Sequence, residues 1–252
     1  MNRFERQSRI RAALAQKEFL GQQELTTLLG ASKATVRRDL IEFENKGLLE
    51  RVHGGARAVA PVRDEALDFK HLSASCPEEK SRIGQLAASL VEEGQTVLLG
   101  GGSTALEVAR NLLDRNIQIV TNSIPVAQVF SDSKNSEVTL TGGYLYPRLG
   151  IQIGPICERM LHSISVDVAI MGIRGISENG LSDSSALIVE SIRAMMKSAQ
   201  RVIVVADHTK FGRNAMIWVA NLAEVHEFVS DRGLDPQYRQ MLEERKISYQ
   251  LA

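Results

Sequence analysis

The hydrophobic positions change period twice along this chain. Over the first sixty residues they recur at helical spacing. Phe4 to Ala15 reads as a helix with Ile10, Ala13 and Leu14 on one face, and Glu24 to Leu29 as a short second helix built on Leu25, Leu28 and Leu29. Gly30 is placed to end the second helix, and Ser32 to cap a third that runs to about Lys46. Val36, Leu40 and Phe43 fall at i, i+4 and i+7 of that third helix, which makes one buried stripe. Gly47 closes it. Two short strand-like runs, LLERV and ARAVA, then flank His53-Gly54-Gly55, a turn sequence suited to a hairpin.

Residues 58–76 show no sustained period and contain Pro61, so they are expected to form a connector. From Pro77 the pattern becomes alternating. EEKSRIGQLAASLVEEG is an amphipathic helix with Ile83, Leu86, Ala87 and Leu90 on one side. Seven apolar strand-length runs follow: TVLLG, IQIVTN, EVTLTG, VDVAIMG, RVIVVAD, EFVSD and ISYQLA. Helical segments such as TALEVARNLL, PICERMLHSI and ALIVESIRAMMKSA separate them. Buried strands alternating with helices predict a doubly wound, mainly parallel α/β sheet. The expected division is 1–57, a winged helix-turn-helix; 58–76, a linker; and 77–252, an α/β domain.

Composition adds one asymmetry. The 252 residues carry 30 Lys/Arg and 30 Asp/Glu, but residues 1–60 hold a balance of +4 and the remainder −4. A basic amino-terminal segment on an acidic body points to one end that meets a polyanion. The outward face at the start of the third helix carries Lys33, Thr35, Arg37 and Arg38 beside Ser32, the layout of a recognition helix in a major groove. Arg51, His53 and Arg57 on the hairpin complete the candidate DNA-contacting set as a wing. A charged solvated face on a three-helix domain is the alternative for these residues. No apolar run is long enough to span a membrane, and MNRFERQSRIR has no apolar core of a signal peptide, so a cytoplasmic protein is expected. The two cysteines, Cys76 and Cys157, are expected to be free thiols.

The strand ends of the larger domain carry the candidate ligand chemistry. Gly100-Gly101-Gly102-Ser103-Thr104 leads from a strand into a helix, where free N–H groups and the helix dipole favour an anion. It lacks the lysine of a Walker A loop. Asn122, Gly143, Asp207 and Lys210 stand at other strand exits, with Lys210 suited to phosphate and Asn122 and Asp207 to hydroxyls. The candidate effector set is therefore Gly101, Gly102, Ser103, Thr104, Asn122, Gly143, Asp207 and Lys210. A surface ion pair between Asp207 and Lys210 is the plainer alternative. The five histidines show no metal-ligand spacing, Met195-Met196 reads as core, and no metal or cofactor is expected.

SKATVRRDLIEFENKGLLERVHGGA resembles the signature of the DeoR family of bacterial transcriptional regulators, in its Ser, its Thr-hydrophobic-Arg-Arg-Asp-Leu run, its Gly-Leu pair and its basic Gly-Gly wing. EEK at 78–80, the GGGST loop, TNS, LTGG and the D-x-x-KFG stretch resemble, in order, that family's effector domain. The resemblance implies a fold like ribose-5-phosphate isomerase and glucosamine-6-phosphate deaminase, and a repressor of a carbohydrate-utilisation operon. It further implies a phosphorylated sugar effector held by Gly102, Ser103 and Thr104 with help from Lys210, and a homo-oligomer, dimer or tetramer, on double-stranded operator DNA. One departure is Gly100, where the family usually has an aspartate. The competing reading is a sugar-phosphate isomerase or deaminase with a helical appendage, which needs a general base that only Asp207 or Glu190 could supply.

Overall fold

The computed structural model describes residues 6, 9–10, 13, 19–45, 49–52, 54–57 and 69–252. The chain divides into two compact units, 1–66 and 67–252.

In the first unit the two helices follow from their punctuation. β1 (Phe19–Gly21) leads into α1 (Gln22–Leu29). The Gly21 N–H donates to Glu24 Oε2 at 3.0 Å, and Gly30 ends the helix at φ +54°. α2 (Lys33–Asn45) begins where the Thr35 N–H donates to Ser32 Oγ at 3.3 Å. The expected stripe is buried, with Val36 at 0%, Leu40 at 5% and Phe43 at 2% exposure, against Ile10, Leu20, Leu25, Leu29, Leu49 and Ala56. β2 (Glu50–Val52) and β3 (Gly55–Arg57) form the hairpin. The sheet has a third strand that period did not reveal, because β1 pairs with β3 in the order β1-β3-β2. Gly55 permits that approach: a Cβ there would stand 2.1 Å from the Leu20 carbonyl oxygen. The helix expected over Phe4–Ala15 lies largely outside the described residues, although Arg6, Arg9, Ile10 and Ala13 are helical.

The second unit opens with α3 (Phe69–Ala74), so the later part of the expected linker is helix. α4 (Pro77–Ser89) follows. The core is a seven-stranded, wholly parallel sheet of β4 (Thr96–Leu99), β5 (Gln118–Thr121), β6 (Glu137–Leu140), β9 (Val166–Gly172), β12 (Ala199–Val205), β14 (Glu227–Ser230) and β15 (Ser248–Leu251). Its spatial order is β15-β14-β12-β9-β4-β5-β6. Alternate residues feed two cores. Val97, Leu99, Val168, Ile170, Ile203 and Val205 face one side, with α4 and α5 (Ser103–Leu112). Leu98, Ala169, Met171, Val202 and Val204 face the other, with α7 (Pro155–His162) and α8 (Ala186–Ser198). α6 (Ile124–Val129) and α9 (Pro236–Glu244) complete the helices.

The sequence pattern omitted two small sheets, the hairpin β7 (Tyr144–Tyr146) and β8 (Ile151–Ile153), and the antiparallel set β10 (Gly175–Ser177), β11 (Gly180–Asp183) and β13 (Ile217–Ala220). Among the described residues no helix is long and apolar enough to cross a membrane, and no His/Cys/Asp/Glu group could hold a metal ion. Both cysteines are free.

Candidate functional site

The chain runs outward from β4 to β5 and β6, then returns to lay β9 on the other flank of β4. β4 and β9 are thus neighbours whose connections leave in opposite directions, which opens a crevice beyond their carboxyl ends. A cavity of about 110 Å³ lies there. Its floor is the Gly100–Thr104 loop, and the exit of β9 through Gly172, Ile173 and Arg174 forms one side. The Gly100 N–H donates to the Ile170 carbonyl at 2.9 Å, which ties the two exits together.

Loop geometry explains its glycines. A Cβ on Gly101 would fall 2.2 Å from Ile151 Cγ2, and Gly102 caps α5 at φ +118°. No side chain caps α5. Its first N–H groups, and the nearly buried Ser103 and Thr104, therefore offer donors to an anion at the cavity floor.

Cations surround this floor. Lys210 sits in a single 3-10 turn, His208–Lys210, capped by Asp207. Burial pushes its pKa down, as do the charges of Lys80, Arg213 and Arg174, while Asp207 opposes them. Lys80 is 2% exposed and lines the cavity from α4. Its ammonium donates to the carbonyls of Leu72 and Ser75 and stands 3.9 Å from Asp207 Oδ2. Burial lowers its pKa and the Asp207 charge raises it. Arg174 adds a third charge to the wall. Asp183 lines the same cavity, its pKa raised by burial against the Ser184 N–H at 2.7 Å and the Arg174 charge. Asn122 is 3% exposed; its Nδ2 donates to the Gln152 carbonyl at 2.9 Å, and its Oδ1 faces no protein donor.

Six of the eight expected effector residues therefore meet: Gly101, Gly102, Ser103, Thr104, Asn122 and Lys210. Two do not. Gly143 lies off the cavity at φ +113°, where a Cβ would be 2.7 Å from the Ile153 carbonyl oxygen and 3.2 Å from Cys157 Cβ, so it serves close packing. Asp207 is 0% exposed and stands behind the lining. Its Oδ1 accepts from the Thr209 N–H at 3.1 Å, and its Oδ2, 3.9 Å from the Lys80 ammonium, has no hydrogen-bond partner among the described residues. Reading from the sequence missed Lys80, Arg174 and Asp183. Lys80 stands in the quoted EEK stretch, and Arg174 lies just past a strand run already identified. Asp183 sits on a strand of the small sheet and left no signal.

On the first unit, Ser32, Lys33, Arg37 and Arg38 are exposed at the start of α2 and Thr35 is half-buried. Ser32 spends its hydroxyl on Thr35, by the cap and by a 3.0 Å contact with Thr35 Oγ1. Arg51 is engaged within the unit, its Nε 2.6 Å from Glu44 Oε2. The backbone of Arg57 is in β3. His53 lies outside the described residues. Opposite the exposed arginines, Asp39 is buried and accepts from Arg6 at 2.6 and 3.2 Å, which fixes α2 against the first helical segment.

Comparison with known proteins covers both units. Residues 6–62 match the DeoR-like helix-turn-helix domain, and residues 75–232 match the DeoR C terminal sensor domain. The HTH-type transcriptional regulator GlpR of Haloferax volcanii is 34% identical over 247 residues, 97% of this chain and 96% of that protein. The glycerol-3-phosphate regulon repressor of Escherichia coli is 31% identical over 253 residues, covering 100% of both chains. A solved ribose 5-phosphate isomerase of Methanocaldococcus jannaschii shares 18% identity at a TM-score of 0.40, over 54% of this chain and 55% of its own. With family models matched on both units and relatives aligned along nearly the whole length, the chain belongs to the DeoR family and is a DNA-binding transcriptional regulator, not an enzyme.

Proposed function

We propose that this protein is a repressor of a carbohydrate-utilisation operon whose operator affinity is set by a phosphorylated sugar or related metabolite bound in the β4–β9 crevice. Residues 1–57 grip DNA through Lys33, Arg37 and Arg38 as part of a cytoplasmic homo-oligomer, and residues 77–252 sense the effector. The phosphate rests on the Gly101–Thr104 loop beside Lys210 and Lys80, with a ligand hydroxyl donating to Asn122 Oδ1. The observation that supports this reading is the convergence of free helix N–H groups, two hydroxyls and three cationic side chains on one cavity. Relatives named as repressors, one of a glycerol-3-phosphate regulon, support the sign of control.

Gating requires that the effector bind one conformation of the oligomer better than the other. A thermal-shift screen of sugar phosphates tests the first half, since ligand at a hundred times its Kd stabilises by about 2.7 kcal/mol. Fluorescence anisotropy on operator DNA with and without each hit tests the second. Hits confined to unphosphorylated sugars would refute the phosphate reading. Hits that leave operator affinity unchanged would refute the gating.

A further inference from the structure

α3 is the first helix of the second unit, and it is seated on both cores. Phe69 packs on the α4–α5 side of the sheet and Leu72 on the α7–α8 side. Both are half-buried, and no residue of α3 is fully buried. Leu72 also lines the crevice. At the amino end of α3 the Phe69 N–H donates to the Arg148 carbonyl at 2.9 Å. At its carboxyl end the Lys80 ammonium donates to the carbonyls of Leu72 and Ser75. Helices well under about 12 residues do not hold themselves in water. These ties therefore decide whether the six residues of α3 stay folded on the domain.

The hold of Lys80 is divided. An ammonium has three donors, and α3 takes two of them. Its charge partner, Asp207 Oδ2, is buried 3.9 Å away, beyond hydrogen-bond range, and has no hydrogen-bond partner among the described residues. A bare buried oxygen is costly, so the α3 carbonyls hold the ammonium back against an opposing pull. A hydrogen bond to an ionised acceptor is about twice as strong as one to a neutral carbonyl. Lys80 is part of the crevice lining, so an anion on the floor adds a second charged acceptor to that pull. A molecule filling the crevice also presses on Leu72. Both effects act to loosen the same end of α3.

We propose that α3 is a strap latched by Lys80: in the arrangement seen here the ammonium pins the carboxyl end of the helix, and an anion in the crevice draws the ammonium off the two carbonyls and frees it. The shift stays inside the buried site, and Lys80 does not reach water. This inference rests on the anion reading of the floor and adds a response to it. Residues 1–66 are joined to the second unit through the chain that enters α3. Occupancy of the crevice thereby becomes a change in the tether of the DNA-binding unit.

Hydrogen–deuterium exchange of the full-length protein tests it, with inorganic phosphate compared against sodium chloride of equal ionic strength. Phosphate should slow exchange at residues 103–106, the start of α5, and speed it at residues 69–76 by about tenfold or more, the weight of one hydrogen bond to a charged group. Lys80→Met combined with Asp207→Asn removes the latch without stranding a buried charge. In that variant exchange at 69–76 should be fast already, and phosphate should not change it. Protection at 103–106 with slower or unchanged exchange at 69–76 would overturn the strap and leave the anion floor standing. Wild-type exchange at 69–76 in the double variant would overturn the strap without reference to any ligand. Unprotected 103–106 in millimolar phosphate would overturn the floor and the trigger together.

Discussion

Asp207→Asn should destabilise the second unit severely while leaving the shape of its side chain almost unchanged. Asp207 is fully buried and Lys80 is 3% exposed at its side chain, with 3.9 Å between their charged atoms. At that separation, and at the effective dielectric that describes most protein sites, the attraction is about 4 kcal/mol. Removing one partner of a buried pair costs about 3–5 kcal/mol, because the remaining ion keeps its desolvation and loses its compensation. The two carbonyls that accept from Lys80 hold the ammonium in place, so it cannot swing out to water. Trp218, the chain's single tryptophan, lies on β13 and is 48% exposed, so urea unfolding followed by its emission reports this unit. The sign with pH is defined. Burial already lowers the Lys80 pKa, and loss of Asp207 lowers it further. Between that depressed value and the ordinary lysine value the unfolded chain binds more protons than the native one, so stability rises with pH in that window. The deficit of the variant is therefore full below the folded pKa and shrinks as pH climbs through it. Lys80→Met in the Asp207→Asn background should recover much of the loss. A variant within about 1 kcal/mol of wild type, or a double variant no more stable than Asp207→Asn alone, would refute the reasoning.

Arg37→Ala with Arg38→Ala should weaken operator binding by roughly 2–6 kcal/mol if each makes one good base contact; anisotropy across a salt series measures this, and an unchanged affinity and slope would take α2 off the DNA. Lys210→Ala should lose about 1.5–3 kcal/mol of phosphate-ligand affinity by calorimetry, with operator binding in the absence of effector unaltered. Because burial lowers the Lys210 pKa, wild-type ligand affinity should begin to fall with rising pH below the ordinary lysine range near 10, and the alanine variant should show a flatter profile. Gly55→Ala should disrupt the β1–β3 pairing, since its Cβ would meet the Leu20 carbonyl; operator binding should be lost while the Trp218 unfolding transition stays where it was, and a shifted transition would mean that the two units fold as one.

Features carried by local period were legible in the sequence. The Val36, Leu40 and Phe43 stripe and the seven sheet strands each repeat over at least a helical turn or a run of apolar residues. β1 is three residues long, shorter than any period, and its place depends on a missing Cβ at Gly55, far along the chain. α3 has six residues, less than two turns, and a mixed composition. The cavity's lining was legible where a residue's chemistry is its own, as with the glycine loop and Lys210. Asp207, expected on the cavity, stands behind its lining beside Lys80, a partner that only the fold brings near. Arg174 became visible once β9 was known to lie beside β4, and Asp183 once β11 was known to pair in the small β10-β11-β13 sheet, which are facts of topology and not of composition.

The crevice floor and the crevice wall are made of different parts of the polypeptide. The floor presents main-chain N–H groups on a loop whose glycines are required by geometry, and most substitutions elsewhere leave main-chain donors in place. The wall is side chain only where Ile188, Ile192 and Met195 line it, a row on α8 whose members can be exchanged one at a time for others of similar volume at small cost to the fold. With the phosphate on that floor as proposed, exchanges along the α8 row reshape the cavity without removing a donor from it.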